Sequence, residues 1–383
     1  MFAATDRAAQ LDPREAEAHL LPAACLAKPI TATLLAEAAV QHHINWSDEI
    51  CDVLAVRSPW KAQLTGITLS HLLNHTHGLD ASTVLRVPRT PGGFLDIESL
   101  CTQCAVTPLS PPGQLYSYSN VGAWFAGALL EQLSGRPYSQ LLDEHHLSHA
   151  SAGPASIQPN RICPATGGGL ELTLSQWLAF LERHLQNPQN DAVRIQGLAS
   201  LRAAPVQLPG WNPSEQGACL GWKYYGSGWF GHNANGIGSS ALLRFNPEHD
   251  IAIVIEASAN AAYIALAGLF GTALPELANL NPLRLLNPQK CAALELGRYR
   301  GTYVQAQCRL TVDIASKGVL RLIVETKDSN AEIHHCLLRP AEGEIFIPEP
   351  RKDPEFAVLQ FVRADSTYTF NYVWNGKQLW RRE

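Results

Sequence analysis

Apolar residues recur at helical spacing through the first half of the chain. The pattern predicts four helices, at residues 29–42, 67–74, 120–134 and 172–186. The first of these is apolar almost all round, which is typical of a buried helix, and Pro29 is tolerated because it stands in the first turn. The first half of the chain is therefore predicted to be mainly helical.

The pattern changes to strands in the second half. Residues 218–232 and 238–257 predict strands, and a last helix spans about 260–278. From about residue 298 onward, short alternating segments separated by turns predict an all-β module.

An Asn- and Pro-containing stretch at residues 279–288 separates these two regions and is typical of a linker. The chain is long enough for one large core and a second small one. We therefore predict two domains, a larger one at residues 1–285 and a β module at residues 290–383.

Composition narrows the class of protein. Apolar residues make up 46% of the chain and charged residues only 16%, so we expect a globular protein and not a disordered one. The net charge of −5 comes without a run of Lys or Arg, which argues against a nucleic-acid partner. No apolar run reaches the roughly 18 residues of a membrane span. The first residues do not form a signal peptide, so the expected location is the cytoplasm.

Nine cysteines are scattered along the chain at irregular spacing. An odd number without a regular pattern favours reduced thiols over a disulfide framework. Cys101 and Cys104 form one C-x-x-C pair, but no second pair and no suitably spaced histidine accompanies it. We therefore expect neither a metal nor a cofactor.

One cysteine stands in a reactive pattern. Cys25 precedes Lys28 by three residues, at the start of the first long apolar segment. Positions i and i+3 share one face of a helix, so the thiol and the ammonium should lie side by side at a helix N-terminus. An ammonium and a helix N-terminus both stabilise a thiolate, which is the reactive form of cysteine. The spacing makes Cys25 a candidate nucleophile.

Four further segments follow Cys25 in order. They are Ile67–Leu79, Pro112–Asn120, Gly167–Leu170 and Gly231–Ser240. Together with Cys25-x-x-Lys28 they resemble the serine β-lactamase-related and penicillin-binding family, especially its class C, esterase and D-aminopeptidase branch, in which the first motif is Ser-x-x-Lys. Each segment alone is weakly specific, but their order and spacing are specific. The resemblance extends from about residue 3 to the C-terminus.

The resemblance implies an α+β, β-lactamase-like fold. Its parts would be an antiparallel sheet flanked by helices, an all-helical subdomain, and a small C-terminal all-β, lipocalin-like module. Only 24 residues precede Cys25, where the family usually has two strands. We therefore expect a sheet that lacks a strand or two, or one that a partner subunit completes. Ala234 also departs from the family, which has a glycine two residues after His232.

The resemblance further implies roles by motif position. Cys25 would be the nucleophile, with Lys28 as its activating partner and Tyr118 as the general base or acid. Asn120 would orient the lysine or the substrate. His232 would lie on the strand at the edge of the active site.

The same resemblance implies the groups that bind the substrate. Backbone N–H groups of Cys25 and of Ser239, or of the glycine before it, would form the oxyanion hole. The expected substrate-binding residues are His75, Tyr116, Asn233 and Gly238. In one alternative, Tyr116 and not Tyr118 carries the proton. In another, His75 and His77 only shape their loop and do not contact the substrate.

A second motif competes for the nucleophile. Ser58-Pro59-Trp60-Lys61 is a literal Ser-x-x-Lys. It contains a proline and no long apolar helix follows it, and the resemblance expects a surface loop at this place. We therefore prefer Cys25.

These residues predict an acyl-transfer enzyme that forms a thioester at Cys25, because a thiol is intrinsically more nucleophilic than a hydroxyl. The donor would be a small thioester, ester or amide, a carrier-protein or coenzyme A thioester being one candidate, and the acceptor a small molecule or water. Two alternatives stay open. One is an esterase or peptidase-type hydrolase of small esters or amides. The other is a catalytically inactive homologue that binds ligands in the cleft where the resembling enzymes have their active site.

Overall fold

The structure of the chain is a computed structural model. It describes residues 20–57, 60–80, 90–104, 108–144, 156–157, 164–166, 170–185, 192–203, 205–207, 215–236, 238–258, 295–305, 308–326, 333–349, 358–363, 370–374 and 378–383. Within these ranges the helices and three short strands come before the longer strands of the two larger sheets, and the predicted α+β architecture is confirmed.

The helices lie in the first part of the chain. They are α1 (Ala27–Gln41), α2 (Ile50–Val53), α3 (Trp60–Leu64), α4 (Leu69–Leu73), α5 (Ile97–Cys104), α6 (Val121–Ser134), α7 (Tyr138–Glu144), α8 (Leu174–Leu185) and α9 (Ala192–Leu201). Three short strands interrupt them and pair in the order β1-β3-β2; they are β1 (Leu21–Pro22), β2 (Ser156–Ile157) and β3 (Leu170–Leu172).

Helix α1 is the centre of the larger core. Nearly all of its side chains are buried, as the apolar pattern predicts. Gly221 packs on it at a position with φ of +77°, where an added Cβ would lie 2.3 Å from the Cβ of Ala32. A left-handed φ and this close approach both require glycine, and they bring the turn at residues 219–222, between two strands of the next sheet, directly onto the helix.

A six-stranded antiparallel sheet follows. Its strands are β4 (Val206–Gln207), β5 (Gly217–Ala218), β6 (Lys223–Gly226), β7 (Trp229–Gly236), β8 (Ser239–Asn246) and β9 (Ile251–Ala257), paired in chain order. Every residue of β8 is buried, since helix α8 packs on one face of the sheet. Strand β7 lies against the turn that carries Cys25.

Several predicted boundaries shift. Residues 218–232 form more than one strand, because Ser227 and Gly228 take left-handed φ values of 49° and 76° in a tight turn. The helix predicted at 67–74 is shorter, since Thr68 caps it and exchanges hydrogen bonds with His71. We expected the main sheet to lack strands from the segment before Cys25. In the described residues, β1 of that segment pairs within the small sheet, and the six-stranded sheet contains no described strand from it.

The C-terminal module is a closed barrel of eight antiparallel strands. They are β10 (Gly301–Val304), β11 (Cys308–Ser316), β12 (Val319–Thr326), β13 (Ile333–Pro340), β14 (Ile345–Glu349), β15 (Leu359–Val362), β16 (Tyr372–Trp374) and β17 (Leu379–Arg382). Buried aromatic side chains fill its interior, and Tyr299 stacks on Phe370 with ring centroids 5.0 Å apart. This is the predicted all-β module.

The barrel packs on the tyrosine segment of the larger domain. Buried Tyr372, Trp374 and Leu379 form one apolar cluster with Tyr116, and Tyr118 packs against that cluster. Strands β16 and β17 contribute side chains both to the interior of the barrel and to its interface with the larger domain. The barrel therefore lies beside the predicted site.

Some predictions fall outside the described residues. They are the helix at 260–278, the linker at 279–288, the glycine stretch 167–169 and Ser58. The domain boundary lies in this undescribed part, so it stays a prediction. None of the described helices is long and apolar enough to cross a membrane.

Candidate active site

Cys25 lies in a strained turn at the start of the buried helix. Residues Ala24–Leu26 form a 3-10 turn that runs directly into α1. Ala24 has a φ of 43°, a left-handed conformation that is costly for a residue with a Cβ. The backbone before it is fixed because Ala23 N–H donates to the Leu170 carbonyl at 2.8 Å. The thiol is only partly buried, so this turn presents it at the edge of the core.

Lys28 points to the same place. Its side chain is only 3% exposed, and its Nζ lies 4.8 Å from the centroid of the Tyr118 ring. A cation over an aromatic face is attracted by the ring, more so where water is excluded. The i, i+3 spacing has thus put Cys25 and Lys28 on the side of α1 that faces Tyr118.

Tyr118 is the third residue of a group that it forms with Cys25 and Lys28. The Cys25 thiol lies close enough to the Tyr118 hydroxyl for its charge to act on that group. Burial and then Cys25 raise the pKa of Tyr118 well above its ordinary value. The hydroxyl is therefore protonated at neutral pH and is suited to donate a proton when charge develops beside it.

Two buried histidines shape the loop after α4. His77 Nδ1 accepts from the Leu79 N–H at 3.0 Å, so its Nε2 carries the proton and donates to Ser119 Oγ at 2.7 Å. Burial lowers the pKa of His77 to about 4. Because its proton already points at Ser119, His77 cannot activate that hydroxyl as a base, and it joins its loop to the tyrosine segment.

His75 lies closer to the reactive group. Like Ala24, His75 has a left-handed backbone, with a φ of 61°. Its ring centroid is 4.5 Å from that of Tyr118. Its Nδ1 accepts from the Ser119 N–H at 3.3 Å. Burial and then Lys223 and Lys28 hold the pKa of His75 well below its usual range, so it is a neutral ring packed on Tyr118.

His232 approaches Tyr118 from strand β7. The two ring centroids are 6.0 Å apart, and His232 Nδ1 donates to the carbonyl of Asn233 at 2.8 Å. Burial and then the charges of Lys28 and Lys223 lower the pKa of His232 well below its ordinary value. His232 is therefore a neutral histidine with Nε2 left as an acceptor.

The other predicted residues lie as follows. Asn120 is exposed at the N-cap of α6, and its side chain makes no capping hydrogen bond. Ser239 is buried at the first position of β8, directly after exposed Gly238, whose φ is 79°. Their roles toward the substrate and the oxyanion stay predictions.

The structure does not bring Asn233 to this group. Its Oδ1 accepts from Arg244 Nη1 at 2.7 Å, and the Arg244 guanidinium stacks 3.6 Å from the centroid of the Tyr225 ring. Adjacent residues of a strand point to opposite faces of a sheet, and His232 already occupies the face toward Cys25. Asn233 therefore has a structural contact with Arg244, and its contact with the substrate stays a prediction.

A buried ion pair beside Tyr118 was not predicted. Lys223 on β6 forms a salt bridge with Glu215 at 2.8 Å and donates a hydrogen bond to the Tyr116 hydroxyl. All three side chains are buried. A signal exists in the sequence: Glu215 and Lys223 are the only charged residues between Arg202 and Arg244. An isolated pair of opposite charges in such an apolar segment indicates a buried pair.

Comparisons with known proteins agree with this fold. The sequence matches the β-lactamase family over residues 5–263. Penicillin-binding protein 4 of Amycolatopsis lactamdurans is 22% identical over 316 residues, which cover 73% of this chain and 82% of that protein.

Two solved structures extend the comparison. SurE in a crystal structure with D-Leu has 22% identity and a TM-score of 0.71, covering 95% of this chain and 87% of that one. A D-stereospecific amidohydrolase from Streptomyces sp. has 20% identity and a TM-score of 0.50, covering 63% of this chain and 82% of that one. At such identities these structures establish likeness of fold alone.

Proposed function

This chain belongs to the β-lactamase family, which is of hydrolase and acyl-transfer type, and from that premise we propose that it transfers acyl groups through a thioester at Cys25. One observation carries the proposal. A partly exposed thiol, a buried lysine and a buried tyrosine hydroxyl converge at the start of helix α1. A nucleophile, a charge partner and a proton donor are what covalent acyl transfer requires.

Cys25 is set apart from the buried thiols of the chain. Burial raises the pKa of Cys101 to about 11 and that of Cys219 to about 12, and Cys51 is also raised. Such thiols are protonated at neutral pH and unreactive. Cys25 is partly exposed and stands one turn before a lysine, which is the setting of a reactive cysteine.

The proposed reaction begins from a Cys25 thiolate and a Lys28 ammonium. The thiolate attacks the donor carbonyl, a C–S bond forms, and an oxyanion develops on the carbonyl oxygen. The bond to the leaving group then breaks. Tyr118 gives its proton to the leaving group and regains one from Lys28. This leaves a thioester, a neutral Lys28 and a neutral Tyr118.

Deacylation reverses the proton path. An acceptor hydroxyl, amine or water attacks the thioester carbonyl, and its proton passes through Tyr118 to Lys28. The Cys25 thiolate is expelled and pairs again with the ammonium. In this proposal the Cys25 and Ser239 N–H groups stabilise the oxyanion in both steps, and Asn120 contacts the substrate at the exposed mouth of the site.

For substrates we propose small acyl groups presented as thioesters, esters or amides. The D-Leu bound to SurE and the D-stereospecific amidohydrolase add support for acyl groups of D configuration. A carrier-protein or coenzyme A thioester suits transfer from sulfur to sulfur, because the two thioesters have similar energies. A thiolate nucleophile also favours a reducing compartment such as the cytoplasm.

Intact-mass spectrometry tests the proposal. The protein is exposed to short acyl thioesters, aryl esters and β-lactams, with D- and L-aminoacyl versions of each, and the adduct is located by peptide mapping. We expect an acyl adduct on the Cys25 peptide and none in Cys25→Ala. Cys308→Ala is the matched control, because Cys308 is also a partly exposed thiol. An adduct that persists in Cys25→Ala would overturn the proposal.

Two further measurements refine the test. Cys25→Ser should lose most of its turnover, because a hydroxyl needs a stronger base than a thiol. Equal or higher turnover in that variant would mean that the thiol is incidental. Addition of amine or thiol acceptors then separates transfer from hydrolysis, because a transferase forms the acyl-acceptor product in preference to the free acid.

A further inference from the structure

A second buried cation lies behind the tyrosine that faces Cys25. Lys223 Nζ is 5.7 Å from the centroid of the Tyr118 ring and 4.5 Å from that of Tyr116. Lys28 approaches the Tyr118 ring at 4.8 Å. The Tyr118 ring thus has two ammonium groups close to it, from helix α1 and from strand β6.

Lys223 is held in this place by two polar groups. The Glu215 carboxylate lies 2.8 Å from its Nζ, and the Tyr116 hydroxyl accepts a hydrogen bond from it. Burial alone would lower the pKa of Lys223, but Glu215 and Tyr116 raise it above the ordinary value. Lys223 therefore keeps its charge at neutral pH, whereas Lys28 must gain and lose a proton in the proposed reaction.

Other titratable groups face the same space. Those on the elements packed around Cys25 and Tyr118 are Lys28, His75, Tyr116, Glu215, Lys223 and His232. The two histidines are neutral, and the carboxylate is paired with Lys223. When Lys28 becomes neutral, Lys223 is the charged group of this set that still opposes negative charge on Tyr118.

We propose that Lys223 is a positioning residue for proton transfer, which clamps Tyr116 against Tyr118 and supplies a fixed positive charge while the Tyr118 proton moves. This inference rests on the proposed function. Glu215 acts through Lys223, because it orients the ammonium and offsets the cost of burying it. Lys223 lies on strand β6 and Glu215 in the segment before β5, and both are outside the motifs that carry the family resemblance.

Lys223→Met tests the inference in the full-length protein. The first readout needs no substrate: the pH profile of Cys25 alkylation by iodoacetamide, followed on the Cys25 peptide by mass spectrometry. Removal of a nearby charge should move its midpoint upward by about one pH unit. The second readout is steady-state transfer, where kcat should fall roughly 10–100-fold while KM stays within about threefold.

Two variants separate charge from structure. Lys223→Arg keeps the charge, so the alkylation midpoint should stay at the wild-type pH even where kcat falls. Lys61→Met removes an exposed lysine that pairs with Asp52, and both readouts should be unchanged. A midpoint that moves equally in the Arg and Met variants would overturn the role of the charge.

A further variant guards against misfolding. Lys223→Met leaves Glu215 buried without its partner, whereas the double variant Lys223→Met with Glu215→Leu replaces the whole pair by apolar groups, a change that is often neutral for stability. We expect the double variant to fold and to keep the loss in kcat. Full kcat in a folded double variant would overturn the inference.

The two proposals fail separately. If the wild type forms no acyl adduct but Lys223→Met still shifts the alkylation midpoint, the thioester proposal fails and the placement of Lys223 stands. If the adduct forms while Lys223→Met leaves both the midpoint and kcat unchanged, the role of Lys223 is overturned and the thioester proposal stands.

Discussion

Three buried neutral histidines make the stability of this protein depend steeply on pH. Burial lowers the pKa of His75, His77 and His232 in the folded chain. In the unfolded chain each returns to about 6.5. Below that pH the unfolded state binds more protons than the folded state, so stability is complete above pH 6.5 and falls as the pH falls toward the folded pKa values.

The magnitude can be worked out for His77. Its pKa is lowered from 6.5 to about 4. At about 1.4 kcal/mol per unit, this amounts to about 3 kcal/mol when the pH has passed below the folded pKa, and to about 2 kcal/mol between pH 7 and pH 5. Burial lowers the pKa of His75 and of His232 in the same direction, so each of them adds to the loss of stability over that interval.

Urea unfolding at pH 7, 6 and 5, followed by tryptophan fluorescence, measures this loss. Carboxylates also titrate in acid, so the test compares the wild type with His77→Gln. The variant has one fewer proton to take up on unfolding. Its loss of unfolding free energy between pH 7 and pH 5 should therefore be smaller by about 2 kcal/mol.

His77→Gln also removes contacts to Leu79 and Ser119, so its absolute stability will be lower at every pH. The slope against pH is the quantity that reports the proton. His42→Gln, a change at an exposed histidine, is the matched control and should have the wild-type slope. Equal slopes in His77→Gln and the wild type would refute the reasoning.

Three further predictions concern activity. Tyr118→Phe removes the proton donor with little change in volume, so turnover should slow by roughly 10²–10⁴-fold, whereas Ser58→Ala should leave turnover unchanged; the opposite ranking would contradict the choice of nucleophile. Lys28→Met should move the iodoacetamide profile of the Cys25 peptide to higher pH, and an unmoved profile would show that the ammonium does not act on the thiol. A chain that ends at Pro288 uncovers the tyrosine segment, so it should fold with lower stability and lose most turnover; wild-type turnover in that chain would show that the barrel is dispensable.

Motif spacing and the order of the motifs predicted four of the residues that lie together at the candidate site. Cys25 lies in the 3-10 turn that runs into α1 and Lys28 lies in the first turn of α1, and their i, i+3 spacing alone predicts that they share one face. Tyr118 and His232 could be added because the order of segments along the chain resembles a known family. The structure brings all four together.

What depends on strand pairing could not be predicted in the same way. Lys223 on β6 lies opposite Gly231 of β7, and its side chain reaches Tyr116, 107 positions earlier in the sequence. Nothing local in the sequence specifies that register. Asn233 follows His232 directly in strand β7, so the period of two sends its side chain to the face opposite that of His232.

The barrel interface has a consequence for the order in which the site matures during synthesis. The Leu379 N–H donates to Ser117 Oγ at 3.2 Å, across 262 positions of sequence. A ribosome that adds about 5–20 residues per second needs on the order of 10–50 s to cover that distance. Throughout that interval Cys25 has already been made, but the segment that carries Tyr118 lacks the strand that packs on it. A newly made chain thus carries the Cys25 thiol well before the barrel strand packs on the segment of Tyr118.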